Sequence, residues 1–563
     1  MIKHVKQWAI NEIAFFTQET YSWWEEPFTV TFVHESRQLT LRMAPYWDGD
    51  NRWLIRFTLP AAGAWHWQLH AEEGVVQEAP ADVQWLAEPP DSAALRDNAN
   101  WRGHVRVADG GRHFEFADGT PFFWVGDTNW NAMGGACGLE GPFHEWLQDR
   151  KRKGFNLIQT QFFHASAGNA GGLPFPSYAR ETDDFSEMNP SFFQEADKKM
   201  QILWEEGFVI AANSTWIGKQ DAISQRSALR FSRMLMNRYG AYNLLWSLAG
   251  EYQYSYPTGK RNPIPWTTEQ WQALGRHVQE RNPYRHPVTV HPSSRHGFDH
   301  PSTWPREAHL QSSAGEFHQE EWLDFNWTQT GHQESMLWLV PYRQEENYAL
   351  LPPKPVLHSE GWYEGHGREE RVGGAYDVRW QAWVATLSGS CGQTYGAEGV
   401  WPFYDPDRPD YPIPYDTFDA LSWQRGIALP GSQYFKPYRA FFESIAWWEL
   451  IPRRNWVLRN DSHPPLTDLT TPYCAAIVNR LYVVYIPRGN ADSHLHLLHL
   501  GAKEYDAFWY DPRQGEYARA GTGKALDVKG TGSWPVPAAP DNEDWVLLLA
   551  RKADCPSGLE ELD

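Results

Sequence analysis

Between residues 103 and 430 short apolar runs alternate with stretches of helical periodicity, and this alternation constrains the fold more than any other feature of the chain. The predicted strands are Phe122 to Gly126, Asn156 to Phe163, Phe208 to Asn213, a run opening at Asn243, Pro287 to His291, Trp322 to Thr328, a run at Pro355 and another starting at Gly392. Between them, Pro142 to Lys153, a segment capped by Asn189 and stopped by Gly207, Ala222 to Tyr239, Thr268 to Glu280, His332 to Val340 and Ala375 to Leu387 read as helices. Eight β/α units of this kind predict a parallel (β/α)8 TIM barrel. The flanks read differently, as short alternating strands with turn signals between them. The expected fold is therefore multi-domain α/β plus β: an N-terminal β-sandwich over 1–95, the barrel over 103–430 and a C-terminal β-sandwich over 440–555.

Two of the predicted barrel strands end on acids. NLLWSLAGEY, Asn243 to Tyr252, is an apolar run that delivers Glu251 behind a glycine, and PVLHSEGWYE, from Pro355, delivers Glu360. Desolvating a carboxylate costs several kcal/mol unless it is paired or protonated, so a chain that buries one at a strand end normally uses it. In this fold active sites lie at the C-terminal ends of the strands, and strands four and seven face each other across the mouth. A pair of acids so placed suits glycoside hydrolysis, in which one carboxyl group protonates the leaving oxygen and the other acts as nucleophile or base. The alternative for each glutamate is a salt bridge at the barrel rim.

The net charge of -20 and the absence of a lysine or arginine block argue against a nucleic-acid partner. No apolar run reaches the length of a membrane span, and the N-terminus has no signal-peptide pattern, so a cytoplasmic location without a membrane partner is expected. The four cysteines, Cys137, Cys391, Cys474 and Cys555, form no CxxC pair. The histidines His286, His291, His296 and His300 match no zinc signature, and no metal or cofactor is expected. With 32 tryptophans the chain can supply stacking faces for sugar rings, although burial in the core accounts for most of them.

The motifs FEFADGTPFFWVGDTNWNAM, LQDRKRKGFNLIQTQFF, LLWSLAGEY and KPVLHSEGWYEG, in that order, resemble those of the apiosidase-like glycoside hydrolases, a barrel family of the large retaining clan. PYWDGDNRWLIRFTLPAAGAWHWQL resembles the sandwich that precedes such barrels. WYDPRQGEY and DWVLLL resemble the small C-terminal sandwich labelled collagen-binding. The resemblance implies a retaining two-carboxylate glycosidase acting on an oligosaccharide or glycoconjugate, with Glu251 as general acid/base and Glu360 as nucleophile. Many relatives carry aspartate at the strand-four position, where this chain has glutamate. A non-catalytic carbohydrate-binding barrel and a transglycosylase using the same two acids are the competing expectations.

Sugars need several hydroxyl partners and one or two stacking faces. Residues expected near strand ends to supply them are Asp127, Asn129, Trp130, His164, Trp216, His291, Asn326, Trp362 and Tyr395. His358 is expected to share a strand face with Glu360 and tune it. For each, barrel packing is the alternative. Asp127 could equally anchor the first loop. The sandwich at the C-terminus is expected to pack on the barrel or to help form a homo-oligomer.

Overall fold

The computed structural model describes residues 2–71, 73–77, 83–163, 173–176, 185–215, 223–252, 266–294, 311–367, 371–407, 421–500, 505–520 and 533–559. Eight parallel strands form the central sheet: β1 (Trp124–Thr128), β2 (Leu157–Phe163), β3 (Val209–Thr215), β4 (Leu244–Ser247), β5 (Val288–Thr289), β6 (Asn326–Gln329), β7 (Val356–Glu360) and β8 (Ser390–Tyr395). They pair in the order β5-β4-β3-β2-β1-β8-β7-β6. The seam between β5 and β6 is bridged by Asp324 N–H to the Val288 carbonyl (2.8 Å) and Thr289 Oγ1 to the Phe325 carbonyl (2.8 Å), so the barrel is nearly closed.

Helices α1 (His144–Arg152), α2 (Pro190–Glu205), α3 (Gln225–Tyr239), α4 (Thr268–Glu280), α5 (Leu339–Tyr348), α6 (Ala375–Leu387) and α7 (Phe435–Glu443) belong to the outer layer. Local chemistry fixes several starts. Asn189 Oδ1 accepts from the Ser191 N–H, with Pro190 in the first turn, and Thr267 closes a reciprocal capping box with Gln270. Two predicted elements are displaced. The sixth strand begins at Asn326 rather than Trp322: Trp322, Leu323 and Phe325 are buried, but in the turn that enters the strand. The helix expected over 332–340 is a short 3-10 turn, Glu334–Met336, followed by α5, which begins at Leu339.

Side-chain direction in the barrel follows from the two-residue alternation of a strand. Phe162 stacks on Tyr239 of α3, with centroids 4.5 Å apart, so it faces outward, and Gln159 and Gln161 face inward. Partners in parallel register share a face, which puts Thr128, Asn213 and Ser247 inside with them. The inner wall is thus more polar than the aliphatic filling usual for this fold.

Two layers flank the barrel on the N-terminal side, a five-stranded sheet that is antiparallel except for the parallel edge pair of Ile2–Lys6 with Gln84–Glu88, and an antiparallel four-stranded sheet. They enclose a core that includes Phe15, Phe32, Ile55, Phe57, Trp65 and Trp85. Ion pairs centred on two buried arginines join this sandwich to the barrel. Arg238 of α3 contacts Asp48 (2.9 Å) and Asp197 (2.6 Å), and Arg56 contacts Glu12 (2.6 Å) and Asp197 (2.9 Å). The C-terminal sheets, six- and three-stranded, are tied on by Arg379 of α6, which grips Asp544 at 2.8 and 2.6 Å. Trp383 stacks on Tyr485 at the same junction.

Candidate active site

Glu251 follows β4 by four residues and adopts a left-handed backbone, φ 44°, a conformation costly for a residue with a Cβ and found most often where a site imposes it. The turn is held by three backbone bonds to the segment around β5: Leu248 N–H to Thr289, His291 N–H to Ala249, and Tyr252 N–H to His291. They fix the direction in which the Glu251 side chain leaves the strand end.

Glu360 reaches the same space by a different device. Along β7, His358 pairs with Thr328, but Glu360, not Ser359, pairs with Gln329. Two residues of β7 therefore oppose one of β6, a β-bulge that re-aims the last side chain. The outward face is marked by Thr328, whose Oγ1 accepts from Gln344 of α5 (2.7 Å). His358 shares that face and lies beside Gly361 and Gln381 of α6. Without the bulge, alternation would turn Glu360 outward as well. His358 is thus not on the face of Glu360, contrary to the expectation from two-residue spacing. It bonds Gln393 Oε1 (2.7 Å) and Thr330 Oγ1 (2.9 Å), and burial lowers its imidazole to about 4.

The two acids are joined by Gln329, the last residue of β6. Its Nε2 donates to Oε1 of Glu251 at 3.1 Å and to Oε1 of Glu360 at 2.9 Å. One nitrogen within hydrogen-bonding reach of both leaves those oxygens no more than about 6 Å apart. Glu251 and Glu360 are 4% and 5% exposed, so both sit in a shielded space rather than on a solvated rim.

Glu360 also meets two imidazoles. His332 Nε2 lies 2.9 Å from Oε1, and His291 Nε2 lies 3.0 Å from Oε2. The second contact is as close as the first but less well aligned. His291 Nδ1 lies 2.8 Å from the Pro292 carbonyl, which holds the ring in place. Burial would raise the Glu360 carboxyl, but bonds and charge from His291 and His332 outweigh it and hold the group well below the usual carboxylate range. Burial, and next the charge of Glu360, push the Tyr363 phenol well above its ordinary range. Trp130 and Trp327 flank His291 with ring centroids at 5.6 and 5.1 Å. Among the described residues no group of three or more His, Cys, Asp or Glu is arranged to hold a metal ion.

Of the expected site residues, the structure gathers Glu251, Glu360, His291 and Trp130. Others point elsewhere. Asp127 faces outward into a fully buried ion pair with Arg150 of α1 (2.8 Å) and accepts from Trp146 Nε1 (2.8 Å), so it anchors helix to strand. Asn129 closes its own loop, accepting from the Asn131 N–H and donating to Cys137 Sγ. Asn326 opens its strand instead of ending it, at the far end from the mouth, with Oδ1 3.2 Å from His318 Nδ1. Trp362 donates to the His366 carbonyl and lies under Arg371, and Tyr395 faces outward and donates to Glu364 (2.6 Å). His164 and Trp216 lie outside the described residues.

Gln329 and His332 escaped the sequence reading because β6 was expected to end at Thr328. The same strand-end rule that singled out Glu251 and Glu360 would have found Gln329 one residue further on. Tyr363 carries no comparable signal.

Three family models match the chain: "Apiosidase-like, catalytic domain" over residues 108–449, "Putative collagen-binding domain of a collagenase" over 467–550, and a domain of unknown function over 4–72. No curated protein matches the sequence. Among solved structures, one titled "putative glycoside hydrolase" from Bacteroides vulgatus ATCC 8482 is similar over 97% of this chain and 99% of its own, with TM-score 0.66 and 18% identity. A glycoside hydrolase family 5 structure from the same organism covers 81% of this chain and 95% of its own, with TM-score 0.63 and 20% identity. A structure titled glycoside hydrolase covers 81% and 99%, with TM-score 0.60 and 19% identity. At these identities the likeness is one of fold.

Proposed function

Because the chain belongs to the apiosidase-like family, we propose that its barrel is a retaining glycosidase in which Glu360 is the nucleophile and Glu251 the general acid/base. The observation that carries the reading is the Gln329 bridge. A planar amide aims its two hydrogens about 120° apart, which puts the accepting oxygens at about 5 Å, near the ~5–5.5 Å of retaining enzymes and short of the ~6.5–9.5 Å that leaves room for an inverting water.

In the first step a Glu360 oxygen bonds to the anomeric carbon while the bond from that carbon to the leaving oxygen breaks. The proton of Glu251 goes to the leaving oxygen. Water then attacks the same carbon, gives its proton to Glu251, and the ester bond to Glu360 breaks. The surroundings suit these roles: His291 and His332 keep Glu360 ionised and ready to attack, and the Gln329 amide donates to whichever acid carries the charge at each stage.

The substrate in this reading is a glycoside, and the family name makes apiose one sugar to include in a screen. The test uses 4-nitrophenyl furanosides and pyranosides, apiosides among them. Glu360→Gln should lose at least about 10⁴-fold in kcat, Glu251→Ala should be rescued by azide with formation of a glycosyl azide, and NMR should find the first-formed sugar with the anomeric configuration of the substrate. An inverted first product, or Glu360→Gln with wild-type turnover, refutes the assignment.

A further inference from the structure

The inner wall near the mouth holds a second constellation that the two acids do not use. Gln161 and Asn213 are partners across β2 and β3, each two residues short of its strand's last, so both stand at the C-terminal, active-site end. Asn213 is in turn the partner of Ser247, from which the chain runs in four residues to Glu251. Gln159 lies one inward step below Gln161, beside Thr128 at the end of β1. All three amides are at most 1% exposed, and neither the oxygen nor the nitrogen of any has a hydrogen-bonding partner. Gln329 Oε1, on the amide that bridges the acids, is also unpartnered.

Buried amides are ordinarily paired, and leaving both ends of three of them unmatched is costly in a wall where leucine or valine would normally stand. An amide offers two donors and an acceptor. A sugar ring presents hydroxyls, each both donor and acceptor, which can answer an amide at both ends. A carboxylate-bearing ring only accepts at its acid group, and it would meet the amide oxygens without a cation to balance it. Among the described residues the inward positions of β1 to β5 carry no lysine or arginine.

We infer that Gln161 and Asn213, with Gln159 beneath, form the wall against which the sugar ring is read before cleavage, and that they select an uncharged ring bearing adjacent free hydroxyls. The inference rests on the glycosidase reading and adds the residues and ring chemistry that decide which sugar fits.

Gln161→Met and Asn213→Leu keep side-chain volume and remove the amides. On the 4-nitrophenyl glycoside that the wild type cleaves fastest, each variant should lose about 10- to 100-fold in kcat/KM, while its melting temperature stays level or rises because unmatched polar groups have gone. A monodeoxy form of that glycoside should be a much poorer substrate for the wild type and differ less than about threefold from its parent for the variant that lost the matching amide. Variants within about threefold of wild type, with the deoxy penalty intact, overturn the inference, and a Glu360→Gln control that has lost turnover shows that the two-acid reading survives. If no panel member is cleaved, Glu360→Gln is titrated calorimetrically with D-xylose, L-arabinose, D-galactose, D-glucose and D-glucuronate. Saturable binding of a neutral sugar that Asn213→Leu weakens tenfold supports the wall. No binding, or preference for glucuronate, overturns it.

Discussion

Replacing Gln329 by leucine removes one buried donor from each acid while keeping most of the side-chain volume. The bonds lost, 3.1 Å to Glu251 and 2.9 Å to Glu360, run from a neutral amide to groups that carry charge in turn, and bonds of that type contribute about 1.5–3 kcal/mol each. The two losses do not simply add in the barrier. As the sugar ester forms, negative charge leaves Glu360 and appears on Glu251, so the bond to the first weakens while the bond to the second strengthens, and part of the loss cancels between ground and transition state. What survives is the cost of misplacing two carboxyl groups, about 1.5–3 kcal/mol, or about 10- to 150-fold in kcat with KM changed less than threefold. A donor to Glu360 favours its ionised form, so losing that donor raises its pKa and moves the acid limb of the kcat/KM profile to higher pH. Steady-state kinetics on an aryl glycoside across pH 3 to about 8, with a melting curve for each protein, make the measurement. A Gln329→Leu enzyme with kcat within threefold of wild type and an unmoved acid limb would show that the bridge has no part in catalysis.

Three further outcomes test other parts of the structure. Deleting Ser359 removes the β7 bulge and leaves Glu360 directly after His358 and opposite Gln329, so plain alternation should keep its carboxyl group inward; turnover should fall far less than in Glu360→Gln with a cooperative melt retained, and a loss as deep as that of Glu360→Gln contradicts the register argument. Arg238→Met strips a fully buried guanidinium from Asp48 and Asp197 at the sandwich-barrel junction, and should destabilise the protein by about 3–5 kcal/mol in chemical denaturation; a midpoint unchanged from wild type counts against that junction as a stabilising contact. Burial raises Asp324 to about 6, and its ordinary unfolded value is near ~4, so the folded state binds the extra proton between these pH values and loses stability as pH rises through them. Asp324→Asn, which can still accept from the Val288 N–H, should therefore gain about 1–3 kcal/mol at pH 8 and little below pH ~4; an equal gain at both pH values refutes this origin.

The barrel and its two acids were legible because their signals are local. An apolar run bounded by turn residues and followed by a periodic helix specifies a β/α unit wherever it occurs, and an acid at the end of such a run is conspicuous. The cap at Asn189 was similarly readable from a few adjacent residues. Other placements depended on counting. A single bulge reversed the expected face of His358 relative to Glu360, and starting β6 four residues early moved Asn326 to the mouth and left Gln329 out of view.

Asp127 and Tyr395 stand at strand ends as expected, yet alternation turns both toward the helices, where Arg150 lies between them, its guanidinium carbon 5.6 Å from the Tyr395 ring. Residue type and strand position could not separate them from Glu251, because whether a polar side chain meets a substrate or a neighbouring helix depends on the face it occupies. The sequence alone determined which segments become strands and helices, and that two of the strands deliver carboxylates. Only the tertiary structure decided that Gln329, His291 and His332 close around those carboxylates, because hydrogen bonds between residues some thirty to eighty positions apart arise from barrel closure and register, which no local pattern encodes.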